Sequence, residues 1–149
     1  GTILLRGIYI MALLTVTAAN VRPIDSDAEI YHGIAAAAIT AGQALYRNSD
    51  GKFALATAAA AGTCQFKGIA LNAAGAGDTV SYLARGRVAG FTVSQAYDAP
   101  IYISDTAGSL GDAAGTVTTA IIGRVEGIST GPDITKVLYV EAVYGAKFA

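Results

Sequence analysis

Short apolar alternations, broken by glycine, aspartate and asparagine, run through the chain after residue 30. Alternation with a period of two is typical of a half-buried β-strand, and Gly, Asp and Asn favour the turns between strands. The predicted strands are EIYHGIAAA, QALYRNS, KFALATA, QFKGIALN, TVSYLAR, RVAGFTV, PIYISD, TVTTAIIGRVEGI and TKVLYVEAVYG. They recur about every 8 to 12 residues, a spacing typical of barrels and sandwiches, and we therefore predict a mainly β fold.

Helical signals are weak by comparison. No segment after residue 20 keeps an apolar helical period over three turns. TAAAAGT favours at most one short helical turn, because alanine has high helix propensity and Gly62 would end the turn. In NSDG, the pair Asp50–Gly51 tolerates positive φ and predicts a hairpin turn.

One phrase is written twice: ALYRNSDGKFALA returns in altered form as PIYISDTAGSLGDA. Tyr46 precedes Gly68 by 22 residues, and Tyr102 precedes Gly123 by 21 residues. In both copies an aspartate follows the glycine after ten residues. Three anchors in the same order predict a duplicated structural unit, in which the two tyrosines are matching wall positions.

This repeat sets the predicted domain organisation. We expect two similar β-units at about 42–85 and 98–143, joined by 86–99, which contains Gly86 and Gly90. Together they would form a single small β-barrel or β-tulip domain over residues 30–149. Residues 1–29 hold no matching unit and are predicted to form an extended N-terminal arm.

The arm carries apolar side chains that cannot fold alone, together with Pro23 and several turn formers. Two arrangements stay open: the arm lies along its own barrel, or it adds a strand to the exposed sheet edge of a partner. Met11 begins MALLTVTAAN, which is typical of a natural protein start. One hypothesis is that residues 1–10 lie upstream of that start and are a translated ribosome-binding region.

Charge and composition exclude several classes of function. The formal net charge is −1, and the ten lysines and arginines are scattered apart from Arg85 and Arg87. Such a surface does not neutralise a phosphate backbone, so we expect no nucleic-acid partner. The longest strongly apolar run, residues 8–16, is shorter than the roughly 20 residues that span a bilayer, so we expect no membrane partner. Cys64 is the only cysteine, and we expect a buried structural thiol.

Catalytic and metal-binding patterns are not found. His32 is the only histidine, and a catalytic histidine needs a nucleophile and an orienting carboxylate, so we expect it to be structural. DSD at 25–27 has no further ligands in the sequence and favours a solvated turn or cap. The glycine-rich loops do not match a phosphate-binding pattern. We expect no catalytic, cofactor-binding or metal-binding residues, and no enzyme activity.

The segment from ITAGQALYRNSDG to RGRVAGF resembles the capsid decoration, or cement, proteins of tailed bacteriophages and prophages. The resemblance rests on four motifs, and it extends through AYDAPIYIS and IIGRVEGI to cover about residues 30–145. These motifs are Gly42–Tyr46, Asp50–Gly51, Gly68–Leu71 and Gly86–Phe91.

The resemblance implies a β-barrel or β-tulip on the outer capsid surface of a virion, made in the bacterial cytoplasm. It implies homotrimers that bridge and stabilise neighbouring major capsid protein subunits, with no cofactor. The arm would contribute the capsid-binding residues Leu13, Leu14, Val16, Val21, Arg22, Pro23 and Ile24. The alternatives are a carbohydrate-binding module, which the absence of tryptophan disfavours, and a tail or baseplate adaptor.

Overall fold

A computed structural model describes residues 13–142 of the chain. Strands account for 49% of it and helical residues for 5%, and eight antiparallel strands curl into a half-barrel. The predicted mainly β, barrel-like fold is therefore confirmed. The hypothesis about residues 1–10 lies outside the described residues.

Twelve strands and two short 3₁₀ turns make up the described part of the chain. The strands are β1 Thr15–Val16, β2 Arg22–Pro23, β3 Glu29–Ile34, β4 Ala44–Arg47, β5 Phe53–Leu55, β6 Phe66–Ala70, β7 Thr79–Ala89, β8 Phe91–Thr92, β9 Pro100–Ile103, β10 Leu110–Gly111, β11 Ile121–Thr130 and β12 Asp133–Glu141. The 3₁₀ turns are Ala18–Asn20 and Ala61–Thr63. The second coincides with the end of TAAAAGT, where the sequence favours one helical turn.

The order of strands in the main sheet has an internal two-fold pattern. The order is β10-β9-β11-β12-β7-β6-β4-β5. Counted outward from the centre, one half reads β7-β6-β4-β5 and the other reads β12-β11-β9-β10. In chain order each half is therefore the same antiparallel unit, and the two units correspond to the two halves of the sequence repeat.

Both halves also contain a bulge at the same place. Tyr46 pairs with the residue two before Gly68, while the residue before Tyr46 pairs with Gly68 itself. Tyr102 pairs in the same way with the residue two before Gly123, while the residue before Tyr102 pairs with Gly123. β6 and β11 thus each carry one extra residue, which bends the strand and increases its twist.

Close backbone approach explains the glycine at each bulge. A Cβ atom on Gly68 would lie 2.6 Å from the carbonyl oxygen of Leu83, and one on Gly123 would overlap the carbonyl oxygen of Tyr139. Both obstacles are backbone atoms of the neighbouring strand, which cannot rotate away. These positions therefore require glycine for contact rather than for a positive φ.

The two halves meet where β7 pairs with β12. In the first half, the residue that follows Gly68 pairs with Leu83 of β7. In the second half, the residue that follows Gly123 pairs with Tyr139 of β12. Leu83 and Tyr139 are therefore equivalent positions. Two positions further along lie Arg85 and Glu141, which are therefore equivalent in the two units. They pair directly with each other and form an ion pair.

Residues 13–29 belong to the same body as the half-barrel. β3 pairs with the first part of β7, β2 pairs with Val88 and Ala89, and β1 pairs with β8. Leu13 forms a bridge with Gly111 at the opposite end of the sheet. Backbone hydrogen bonds thus hold the described part of the predicted arm along its own barrel, and a boundary at residue 29 does not separate it from the domain.

Two apolar clusters stabilise the fold. The larger one joins the two halves and includes Leu14, Phe66, Leu83, Ile101, Val125 and Leu138. The smaller one lies under β3 and is built around Phe53 and Tyr82, whose ring centroids are 4.6 Å apart. Gly33 of β3 leaves space for the Phe53 ring, so β3 can lie close over this second cluster.

Backbone hydrogen bonds between loops close the open side of the half-barrel. The Gly108 N–H donates to Ala56 at 2.8 Å, and the Ala58 N–H donates to Ser104 at 2.8 Å. The end of β5 in the first unit is thereby tied to the β9–β10 turn in the second unit. These hydrogen bonds therefore connect the two ends of the main sheet, near β5 and β10, to each other.

Candidate docking surfaces

The predicted arm residues divide into buried and accessible groups. Leu14 is only 7% exposed, packs in the larger cluster, and donates its N–H to Leu110 at 2.9 Å. Its side chain is therefore not available to a partner, because the segment lies on its own barrel. Leu13 is 45% exposed and Val16 is 38% exposed. Arg22 is also exposed, whereas Val21, Pro23 and Ile24 are half-buried.

A charged contact fixes the end of this segment to β7. The Arg87 guanidinium donates to both carboxylate oxygens of Asp25, at 2.6 Å from Nη2 to Oδ1. The Arg87 backbone N–H also donates to Asp25 at 3.1 Å, and the Ile24 N–H donates to the Arg87 carbonyl at 2.9 Å. The hydrogen bonds from Arg87 lower the pKa of Asp25 and keep its carboxylate charged. Asp25 of the DSD sequence thus serves as a structural anchor.

β3 presents an exposed apolar surface that the sequence pattern did not single out. We call Ile30, Tyr31, His32 and Ile34 the β3 surface. Ile30 is 39% exposed, Tyr31 is 45% exposed, and Ile34 is 42% exposed. EIYHGIAAA was predicted as a strand. Its sequence places apolar side chains on both faces of that strand, and this pattern is the signal that some apolar side chains would be exposed. A half-buried strand would expose polar residues on its outer side.

The hydrogen bonds of β3 show which of its backbone groups face β7 and which face away from it. Ala35 donates its N–H to the Asp78 carbonyl at 2.9 Å, beside the start of β7. Because backbone groups alternate along a strand, Tyr31 and Gly33 direct theirs toward β7, while Ile30 and His32 direct theirs away from it. Within residues 13–142, no strand other than β7 pairs with Ile30 or His32.

His32 and Ser81 form a contact that resembles part of a catalytic site. His32 Nδ1 lies 2.8 Å from Ser81 Oγ, and both side chains lie on the solvent side of the paired strands. No carboxylate hydrogen bond to His32 is found in the described part of the chain. The pair therefore has no residue that would orient the imidazole in the way a triad requires.

The structure places the predicted turn and wall residues in the β4–β5 turn, beside the two bulges, and in or next to β7. Gly51 has φ +80, and the Asn48 side chain accepts the N–H of Asp50 at 3.0 Å, which forms the β4–β5 turn. Tyr46 and Tyr102 are half-buried at equivalent places beside the two bulges. Gly86 has a φ of +138 and lies inside β7, and Gly90 has a φ of +103 and directly follows β7. Residues 86–89, which were predicted to belong to the connection, are therefore part of β7.

A groove crosses the outer face of β11 and β12. It has a volume of about 260 Å³ and is lined by Ile121, Arg124, Tyr139, Glu141 and neighbouring backbone. Burial raises the pKa of Tyr139, whose hydroxyl donates to Glu141 at 3.4 Å.

Among residues 13–142, no group of three or more His, Cys, Asp or Glu side chains could hold a metal ion. Cys64 is fully buried, with its thiol 3.0 Å from the Ala61 carbonyl oxygen.

None of the helical segments between residues 13 and 142 is both long enough and apolar enough to cross a membrane. Comparison with known proteins gives no relative: no protein family, no curated sequence and no solved structure matches the chain significantly.

Proposed function

We propose that this protein decorates the outer surface of a bacteriophage capsid and stabilises the lattice of the major capsid protein. In this proposal the protein is made in the bacterial cytoplasm and binds the assembled shell as a homotrimer that bridges neighbouring subunits. It acts as a structural protein without a catalytic step or a cofactor.

One structural observation supports the proposal beside the sequence resemblance. Leu13 and Val16 expose apolar side chains from a backbone that is already hydrogen-bonded to the barrel. Such side chains can dock without first ordering the segment, which lowers the entropic cost of binding. Many weak contacts repeated over a lattice, each bridging tethered subunits, give strong overall attachment. A protein that binds only the assembled lattice stabilises that lattice by mass action.

The first test is whether the protein is part of the particle. Virions of the phage or prophage that encodes this chain are purified through a density gradient, and their proteins are quantified by mass spectrometry. The proposal expects a stoichiometry near that of the major capsid protein. Absence of the chain from intact virions would refute it.

A second test concerns the exposed arm residues. Deletion of residues 1–24 is unsuitable, because it would also remove Leu14 from the core and β2 from the sheet. Leu13→Glu instead places a charge on an exposed side chain and leaves the backbone contacts in place. Ile134→Glu is the matched control, since Ile134 is 64% exposed on a different strand.

We expect Leu13→Glu to weaken binding to undecorated shells at least tenfold in a co-sedimentation assay, while Ile134→Glu binds as the wild type does. Equal binding by the wild type and Leu13→Glu would exclude the arm as the capsid contact. If the wild type itself does not bind undecorated shells, the proposed capsid function is refuted.

A further inference from the structure

We propose that residues 13–28 form a latched strap: the segment leaves the half-barrel as a unit while the sheet stays folded, and the Asp25–Arg87 ion pair controls how often it does so. We call these residues the strap. This proposal is independent of the capsid function. It rests on the space that the half-barrel leaves for the strap, on the few side chains that the strap buries, and on the ion pair.

Glycines of the half-barrel leave space for the strap at separate places. A Cβ atom on Gly42 would lie 2.4 Å from Cγ2 of Val16, and one on Gly90 would lie 2.7 Å from Cγ2 of Val21. Both glycines also have positive φ, so a side chain there would be strained as well as in conflict with the strap. We call the surface of the half-barrel at Gly42, Gly86 and Gly90 the seat.

The strap ends where β3 begins. A Cβ atom on Gly86 would lie 3.1 Å from the Cβ of Ala28, so the seat extends to the last residue of the strap. From there on, all six residues of β3 pair with β7, and the register shifts between Glu29 and Ile30. β3 is thus part of the sheet, and the hinge of the strap lies between Ala28 and Glu29.

The strap buries few side chains on its seat. Leu14 is the only buried residue among residues 13–28, and residues 15–20 are all exposed. β7, by comparison, buries six of its eleven residues. Segments with few buried apolar contacts open at a lower free energy than core strands do. The strap should therefore open while the sheet remains folded.

The Asp25–Arg87 ion pair joins the strap to β7. The Arg87 guanidinium and the Arg87 backbone N–H both donate to the Asp25 carboxylate. Arg87 Nη1 also donates to the Gly127 carbonyl of β11 at 3.0 Å, a contact that keeps the guanidinium in place when the strap is open. Asp27, two residues along the strap, acts on Arg87 through its charge alone. The latch is therefore the hydrogen-bonded carboxylate of Asp25.

Amide hydrogen exchange, followed by NMR on the full chain, tests the opening. The N–H groups of Thr17 and Ile24 donate to the seat side of the half-barrel at 2.8 Å and 2.9 Å, and the Ile103 N–H donates within the sheet at 2.9 Å. We expect Thr17 and Ile24 to share one protection factor, about 100-fold below that of Ile103. Equal protection of all three amides in the wild type would overturn the strap.

Asp25→Asn tests the latch, and Asp27→Asn is the matched control because it removes the same charge two residues away. Asp25→Asn should accelerate exchange at Thr17 and Ile24 together by about tenfold and leave Ile103 unchanged, since it weakens the hydrogen bonds from Arg87. Asp27→Asn should change these rates by less than about twofold. The latch would be wrong if Asp25→Asn left the strap amides unchanged, if it accelerated Ile103 equally, or if Asp27→Asn had the same effect.

A labelled peptide of residues 13–28 tests whether the open seat accepts the strap sequence, with fluorescence anisotropy as the readout. The peptide competes with the protein's own strap, whose effective concentration over a short tether is on the order of 1 mM. We expect half-saturation of the wild type near that concentration, and of the Asp25→Asn protein at on the order of 0.1 mM, because the peptide retains Asp25. A peptide carrying Val21→Asp should not bind, since Val21 packs against Gly90. The proposal would fail if 1 mM peptide did not bind the Asp25→Asn protein, or if the Val21→Asp peptide bound equally well.

Discussion

Replacement of Gly123 by alanine is expected to destabilise the fold severely. The added Cβ would overlap the carbonyl oxygen of Tyr139 and would also lie 3.1 Å from the Cα of Val140, so β11 and β12 would have to separate locally. Overpacking usually costs about 1–3 kcal/mol, and an obstacle made of backbone atoms belongs at or above the upper end of that range. We therefore expect a loss of about 3 kcal/mol or more in the free energy of unfolding, which corresponds to a fall of about 6–12 °C in melting temperature for a domain of this size.

The assay is urea unfolding followed by far-ultraviolet circular dichroism, with a second set of curves for two other glycines. Gly68→Ala tests the equivalent bulge, where the obstacle is 2.6 Å away, and should cost about 1–3 kcal/mol. Gly62→Ala is the control, because nothing lies within 4 Å of its added Cβ, and it should stay within about 0.5 kcal/mol of the wild type. If Gly123→Ala were no less stable than Gly62→Ala, the account of the two bulges would be wrong.

Two further predictions concern the N-terminal segment. Leu14→Ala should cost about 2–5 kcal/mol in urea unfolding, because Leu14 is 7% exposed within the larger cluster; a change under 0.5 kcal/mol would mean that the segment does not pack on the barrel. Asp25→Asn should cost about 1–2 kcal/mol at pH 7, since the contact with Arg87 is partly screened by solvent. Because Arg87 lowers the pKa of Asp25 from its ordinary 3.8, this stabilisation is complete above about pH 4 and is lost as the pH falls through the lowered value. Thermal melts from pH 7 to pH 2 should therefore show the difference between wild type and Asp25→Asn shrinking only below pH 4, and a constant difference would contradict the assigned cause.

The mainly β class and most of the strands along the chain could be predicted from period-two alternation, because turn residues mark most boundaries. The exception is β7, Thr79–Ala89, whose residues the pattern divided between two strands. The spacing from Tyr46 to Gly68 and from Tyr102 to Gly123 reflects the two bulges, and these lie at equivalent places in the sheet. Each bulge brings two backbones so close together that only glycine fits. The duplicated bulge therefore appears in the sequence as a duplicated glycine.

The surfaces were harder to predict. Leu14 and Val16 have similar side chains in the sequence, yet one is buried and the other is exposed, because that depends on which distant strand each residue meets. The orientation of the backbone groups of β3 could not be predicted for the same reason: alternation gives the faces of a strand but not its edges. Pairing with β7, at least 45 residues away in the chain, decides which backbone groups of β3 face away from β7.

The pairing of Arg85 with Glu141 has a consequence for how the two units recognise each other. These residues occupy equivalent positions on the axis that relates the two units, so in a dimer of identical units each would face its own copy. A charge at that position would then repel its own copy across the axis. Two units with different sequences avoid this repulsion, because one carries arginine and the other carries glutamate. The ion pair therefore favours pairing of the first unit with the second unit. Pairing of two first units from different chains would place Arg85 opposite Arg85.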